Sequence, residues 1–202
     1  MARYTGPRTK KSRRYGAAIF GSHKALERRN YPPGVHGSKG RKKQSDYAVA
    51  LAEKQKLRYQ YGILERQFRR YFEIASRKRG VTGDILLQLL ETRLDNVVYR
   101  LGLANSRRAA RQFVLHRHIS VNGKVVAIPS YPVKVGDIIE VRDRPRSRAY
   151  AARSLEAMQL APVPDWLVID KEQYRAEVKR IPTREEIAPI ANEQLVVELY
   201  SR

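Results

Sequence analysis

The chain has 202 residues, 42% of them hydrophobic, which is room for one large domain or two small ones and too apolar for wholesale disorder. Its 41 Lys+Arg against 20 Asp+Glu give a formal net charge of +21, a self-repulsion that a polyanion would relieve; nucleic acid fits, because releasing its counterions supplies binding free energy. The absence of Cys excludes disulfides and thiolate metal sites, and no apolar run approaches the ~20 residues of a membrane span or the core of an export signal.

The charge is unevenly spread. Residues 1–45 hold 13 Lys+Arg and 1 acidic residue, residues 46–92 hold 9 and 6, residues 93–142 hold 9 and 3, and residues 143–202 hold 10 and 10. Polyanion contacts are therefore expected in the first 142 residues, and a structural role in the remainder.

Residues 1–45 lack a sustained apolar period and are punctuated by Gly6-Pro7, Gly16, Gly21, Pro32-Pro33-Gly34, Gly37 and Gly40. They read as an extended basic arm with at most one short helix near Ala25–Arg29. A solvated tail is the plain alternative. Against it, Tyr4, Tyr15, Phe20, Tyr31 and His36 are interleaved with the cations, as suits stacking on unpaired bases, so the arm is expected to order against RNA. Its candidate contacts are Arg3, Arg8, Lys10, Lys11, Arg13 and Arg14 for phosphates, with Tyr31, Pro33, Gly34 and His36 as a rigid close-approach loop.

Residues 46–92 read as helices. Asp46 to Tyr61 carries an approximate stripe of Tyr47, Ala50, Leu51, Leu57 and Tyr61, with Lys54, Lys56 and Arg58 on its other side and Gly62 able to end it. Glu65 to Arg79 places Phe68, Phe72 and Ala75 on one face and Arg66, Arg69 and Arg70 largely off it, with Gly80 as its cap. Asp84 suits the N-cap of a third, mostly buried helix from Ile85 to Glu91. Lys54, Arg58, Arg66, Arg69 and Arg70 join the candidate RNA contacts.

Residues 93–142 form a compact basic module. Arg93 to Gly102 reads as a short helix, and Ser106 caps a second. At roughly 100° per residue, Arg107, Arg108 and Arg111 share one side of the second helix while Ala109, Ala110, Phe113 and Val114 share the other. Ile119-Ser120-Val121, the type I′ turn signal Asn122-Gly123 and Lys124-Val125-Val126 make a hairpin, and Ile138 to Val141 a further strand. The module's candidate contacts are Ser106, Arg107, Arg108, Arg111, Gln112, Asn122 and Lys124. Reversing Arg107, Arg108 and Arg111 to Glu is expected to weaken RNA binding while leaving the fold intact.

The runs Arg-Leu-Asp-Asn-Val-Val-Tyr-Arg-Leu-Gly from Arg93, Ser-Arg-Arg-Ala-Ala-Arg-Gln from Ser106, His-Ile-Ser-Val-Asn-Gly-Lys from His118 and Gly-Asp-Ile-Ile from Gly136 resemble the S four RNA-binding module. Tyr31-Pro32-Pro33-Gly34-Val35-His36-Gly37, Glu53 to Arg58 and Asn192 to Arg202 extend the resemblance over nearly the whole chain, to the S four family of small-subunit ribosomal proteins. The resemblance implies binding to small-subunit ribosomal RNA early in assembly, without catalysis. It also implies a cytoplasmic seat beside protein S five where messenger RNA enters, with messenger as a further partner, and an influence on decoding accuracy. Some members repress their own messenger. Many relatives hold zinc with four cysteines in the arm. Here Thr9 and Ser12 stand near the first pair's place, so no zinc or other cofactor is expected, and no membrane or small-molecule partner.

The expected fold is α+β: an extended arm (1–45), a mostly helical main domain (46–92), the inserted module (93–150), and a C-terminal part (151–202) that packs back on the main domain. In that last part Trp166 and the following Leu-Val-Ile read as a strand, Thr183 to Glu186 as a capping box opening a short helix, and Leu195 to Tyr200 as a final strand or extended segment. Three other readings are weaker. Arg93-Leu94-Asp95 superficially resembles a pseudouridine synthase motif, but Thr92 replaces its Gly and no catalytic domain surrounds it; a helix carboxylate paired with a nearby Arg is the better reading. His116 and His118 lack an accompanying ligand set and read as surface or RNA-facing residues. A DNA-packaging protein would share the charge, but not the aromatic-rich arm or the resemblance.

Overall fold

The structure, a computed structural model, describes residues 3–21, 24–39, 43–158 and 162–201. Gly40 and Arg202, counted above in the arm and in the closing motif, lie outside them. Chain order runs α1 (Arg8–Tyr15), α2 (Lys24–Arg28), α3 (Asp46–Gln60), α4 (Glu65–Ser76), α5 (Thr82–Glu91), α6 (Leu94–Arg100), α7 (Arg107–Leu115), β1 (Ile119–Val121), β2 (Lys124–Val125) and β3 (Ile138–Val141). It continues through α8 (Pro145–Ala157), β4 (Leu167–Asp170), β5 (Arg175–Val178), α9 (Arg184–Ile187) and α10 (Glu193–Ser201). The fold is α+β, in two compact units: Met1–Leu86 with Ala188–Arg202, and Leu87–Ile187.

The first unit is helical. Ser45 Oγ accepts from Ala48 N–H to start α3, and Leu57 on that helix is fully buried beside a core that includes Phe68, Ala75 and Val196. Helix α10 packs along α3, and Tyr200 stacks on Phe72 with ring centroids 4.7 Å apart. Leu195 to Tyr200 reads as a final strand or extended segment, and β-branched Val196 and Val197 suit a strand. Burial of Val196 and stacking of Tyr200, four residues later, instead select a helical period, and tertiary packing overrides the weak local preference. The start of α5 lies close by: a Cβ at Gly83 would meet Glu193 Cγ at 3.0 Å, so Gly allows the approach.

The arm also differs from expectation. Residues 8–15 form a helix, closed by Gly16 at φ 61°. Eight residues are too few for a helix to persist alone, so no local signal announces this one. Packing sustains it. Ser12 and Ile19 are buried, and Tyr4, Tyr15 and Phe20 surround the Tyr59 ring at 4.9, 6.2 and 6.2 Å.

The second unit follows the module reading and then enlarges it. Asn122 (φ 51°) and Gly123 (φ 76°) make the two-residue turn between Val121 and its partner Lys124, and only Gly adopts the second position without strain. The sheet is antiparallel with order β2-β1-β3-β5-β4. Strands β4 and β5 therefore belong to this sheet, and of residues 151–202 only the part from Ala188 onward joins the helical unit. The reason is visible in β5. Ala176 and Val178 are buried while Arg175 and Glu177 face out, an alternation that covers the flank of β3. Trp166, just before β4, is 1% exposed in the same core as Val98, Phe113, Ile119 and Ile139. Helix α8 starts with Pro145 in its first turn, where a missing N–H costs nothing.

Candidate RNA interface

Helix α4 in the helical unit separates apolar from cationic residues. Phe68, Phe72 and Ala75 point into the core, while Arg66, Arg69 and Arg70 are exposed. Arg77, Lys78 and Arg79, just past its end, are exposed as well. Lys54 and Arg58 on α3 serve another purpose. Lys54 Nζ is 2.8 Å from Glu65 Oε1, and Arg58 Nε donates to Gln55 Oε1 at 2.9 Å and lies 3.8 Å from Glu65 Oε2. Burial alone would raise the Glu65 pKa, but hydrogen bonds from Lys54 and Tyr200 and the charges of Lys54 and Arg58 outweigh it and hold the carboxyl below its ordinary range. Both cations are consumed in holding α3 against the start of α4.

The arm shows a similar split. Arg3, Arg8, Lys10 and Arg14 are exposed. Lys11 lies over the Tyr59 ring at 5.5 Å. Arg13 Nε donates to the carbonyls of Arg29 and Tyr31 at 3.1 and 3.2 Å, and its guanidinium covers the Tyr31 ring at 4.9 Å. Arg13 thus shapes the loop that carries Tyr31, Pro33, Gly34 and His36. Three of the arm's aromatics, Tyr4, Tyr15 and Phe20, pack on Tyr59 rather than standing ready for bases; Tyr31, Gly34 and His36 stay exposed.

In the second unit, α6 and α7 are fastened by buried charge. The Asp95 carboxylate, 5% exposed, accepts from Arg93 at 2.9 and 3.1 Å and from Arg111 Nη1 at 3.2 Å. This is the paired helix carboxylate that Arg93-Leu94-Asp95 suggested. Beside it Glu91, 1% exposed, accepts from Asn96 Nδ2 at 2.7 Å and from both forks of Arg100 at 2.7 and 2.9 Å. Asn96 Oδ1 accepts from Arg107 Nε at 2.7 Å, and the Arg107 guanidinium lies 4.6 Å over the Tyr99 ring. Each buried charge has a partner, as a low-dielectric interior requires.

Helical spacing placed Arg107, Arg108 and Arg111 on one shared face, and they divide there. Arg108 is exposed, Arg107 is half-buried on Asn96, and Arg111 is 7% exposed against Asp95. A charge reversal at all three would set a new carboxylate against Asp95, so the expectation of an intact fold fails at Arg111. Ser106 Oγ accepts from Ala109 N–H at 3.2 Å and caps α7, as read. Asn122 bonds Asp137 through Nδ2 at 2.8 Å and accepts from Ile138 N–H at 2.9 Å, so its side chain holds the hairpin against β3. Gln112 and Lys124 are exposed.

Residues 143–202 balance in charge, which hid Arg144, Arg146, Arg148 and Arg153, all exposed on or beside α8. Their signal was Pro145 at a helix start, followed by Arg146 and Arg153 seven residues apart on one face. Among the described residues no cluster of His, Cys, Asp and Glu is placed to hold a metal ion, and no helix is long and apolar enough to cross a membrane.

Residues 3–91 match the family described as ribosomal protein S4/S9 N-terminal domain, and residues 92–139 match the S4 domain. The chain is similar over its full length, and over the full length of each relative, to proteins called small ribosomal subunit protein uS4. Identity is 61% with the one from Akkermansia muciniphila, 63% with that from Opitutus terrae and 55% with that from Cutibacterium acnes.

Proposed function

Because the chain belongs to the small ribosomal subunit protein uS4 family, we propose that it is a structural, non-enzymatic constituent of the small ribosomal subunit that binds small-subunit ribosomal RNA. The observation that supports this most is the unbroken similarity of arm, helical unit, module and closing helix to relatives of that name. The exposed cations supply the physical means. Arg3, Arg8, Lys10, Arg14, Arg66, Arg69, Arg70, Arg108 and Lys124 neutralise phosphates, Gln112 contributes a polar contact, and Tyr31, Pro33, Gly34 and His36 approach the backbone or an unpaired base. Lys11, Arg13, Lys54, Arg58, Ser106, Arg107, Arg111 and Asn122 act behind them, holding the surfaces that present these groups.

The finer assignment follows the family resemblance. The protein binds its RNA early and nucleates assembly, sits in the cytoplasmic ribosome beside protein S five near entering messenger RNA, and contributes to decoding accuracy; repression of its own messenger belongs to the same reading. Competition at physiological salt between duplex DNA and a small-subunit ribosomal RNA fragment tests the core of the proposal. Preference for the RNA is expected; equal affinity for both overturns the ribosomal reading.

A further inference from the structure

Helices α7 and α8 of the second unit leave a groove of about 770 Å³ between them, within the size range of small-ligand sites. Its residues recur at helical spacing on both walls: Gln112 and Phe113 from α7 with His116 just past its end, and Arg146, Tyr150 and Arg153 from α8. The floor is aromatic. The Phe113 ring stacks on His118 with centroids 4.8 Å apart and an interplanar angle of 18°, and meets Tyr150 at 5.0 Å. His118 is held in place by Ser147 Oγ, 2.8 Å from its Nδ1. Burial, then the electrostatic influence of His116, Arg144 and Arg142, lower the His118 pKa, which favours its neutral form.

The rim is different. Gln112, His116, Arg146 and Arg153 are exposed there, and among the described residues none of those lining the groove is acidic. An aromatic floor under a cationic rim suits a ligand that is both planar and anionic. A cation or a basic peptide finds no counter-charge, and an acidic peptide leaves the aromatic floor unused. A base within a duplex is stacked on both faces and offers none to the floor. An unstacked base with its phosphate satisfies floor and rim together.

We propose that the α7–α8 groove is a pocket for a single unpaired RNA nucleotide, with the base against the Tyr150 ring of the floor, its hydrogen-bonding edge at Gln112 and its phosphates at Arg146 and Arg153. The inference rests on the RNA-binding function proposed above and adds a strand requirement to it. The test titrates the ¹⁵N-labelled full chain with the tetranucleotide rA4, an RNA duplex of equal nucleotide concentration, and a tetraglutamate peptide. The rA4 strand is expected to move the backbone resonances of Gln112, His116, Ala149 and Arg153, which the other two leave in place. Arg153→Gln, an exposed change, and Tyr150→Leu, which keeps apolar bulk but removes the ring, each weaken rA4 binding about tenfold, the scale of one lost stacking or phosphate contact. Should Tyr150→Leu fail to fold, Arg146→Gln takes its place with the same expectation.

Equal shifts with duplex or with tetraglutamate, or unchanged rA4 affinity in the variants, overturn the pocket. Binding of a small-subunit ribosomal RNA fragment, measured on the same samples, separates the two readings. If the parent binds that fragment and the groove resonances stay still, the pocket alone fails. If the parent does not bind the fragment, the RNA-binding function fails with it.

Discussion

The arm with α4 and the paired helices α6 and α7 are both rich in arginine, yet the residue has opposite duties in the two places. On α4, Arg66, Arg69 and Arg70 stand in solvent while Phe68 and Phe72 hold the helix. Between α6 and α7, Arg93 and Arg111 are themselves part of the interior, closed around Asp95. A net charge counts both kinds alike. Burial and the presence of an acidic partner decide whether a cation binds a polyanion or holds the protein together.

The largest effect that would break this contrast is removal of the carboxylate on which the interior cations converge. Asp95→Ala leaves two buried guanidiniums without their counter-charge, a loss of about 3–5 kcal/mol that urea unfolding should register. A change under about 1 kcal/mol would mean that the cluster adds little and that Arg111 is available to RNA. Next is the aromatic anchor of the arm. Tyr59→Ala removes the ring on which Tyr4, Tyr15 and Phe20 converge and should cost about 3 kcal/mol. Limited proteolysis should then cut within residues 3–21 first; an unaltered digestion pattern would show that the arm is held by other contacts.

Smaller effects sharpen the division within α7. Arg107→Gln leaves the acceptor of Asn96 without its donor and should lower stability by about 1 kcal/mol. Arg108→Gln should stay within about 0.5 kcal/mol of the parent while lowering the salt slope of RNA binding by about 1. The reverse ranking would exchange the roles of the two residues. The smallest effect is at Glu186, whose pKa is lowered to about 2 by Arg180 first, then by the Thr183 backbone N–H. A folded pKa below the unfolded value of about 4.5 stabilises the folded chain above that value, and the gain fades as pH falls through 4.5 toward 2. A carboxyl titration by NMR centred near 4.5 would show that the pairing does not persist in solution.

Much of this was legible in the chain itself. The α4 stripe, the Ser106 cap, the Asn122-Gly123 turn and the strand after Trp166 follow from local rules. On α3 the stripe is misread: Ala50 and Leu57 are buried as expected, but Tyr47 is exposed and Lys54 and Tyr59 turn inward. What was hidden depends on partners distant in sequence. Helix α1 is too short to announce itself without Tyr59, and α10 looks extended until Phe72 is placed beneath Tyr200. The arginines of α8 disappeared into a segment whose charges cancel. On α7, helical periodicity put Arg107, Arg108 and Arg111 on one side, yet only Arg108 is exposed, because Asp95 and Asn96 stand opposite the other two. Periodicity gives direction around a helix axis and says nothing about what lies in that direction.

The claim that exposed and interior arginines have separate duties is tested most directly on α4. The affinity of the full chain for a small-subunit ribosomal RNA fragment would be measured across a salt series for the parent and for Arg66→Gln/Arg69→Gln/Arg70→Gln. The expected result is a salt slope shallower by about 1 for each arginine that meets a phosphate, up to about 3, with the urea midpoint of unfolding unmoved. An unchanged slope, or a midpoint that falls while the slope holds, would contradict the account.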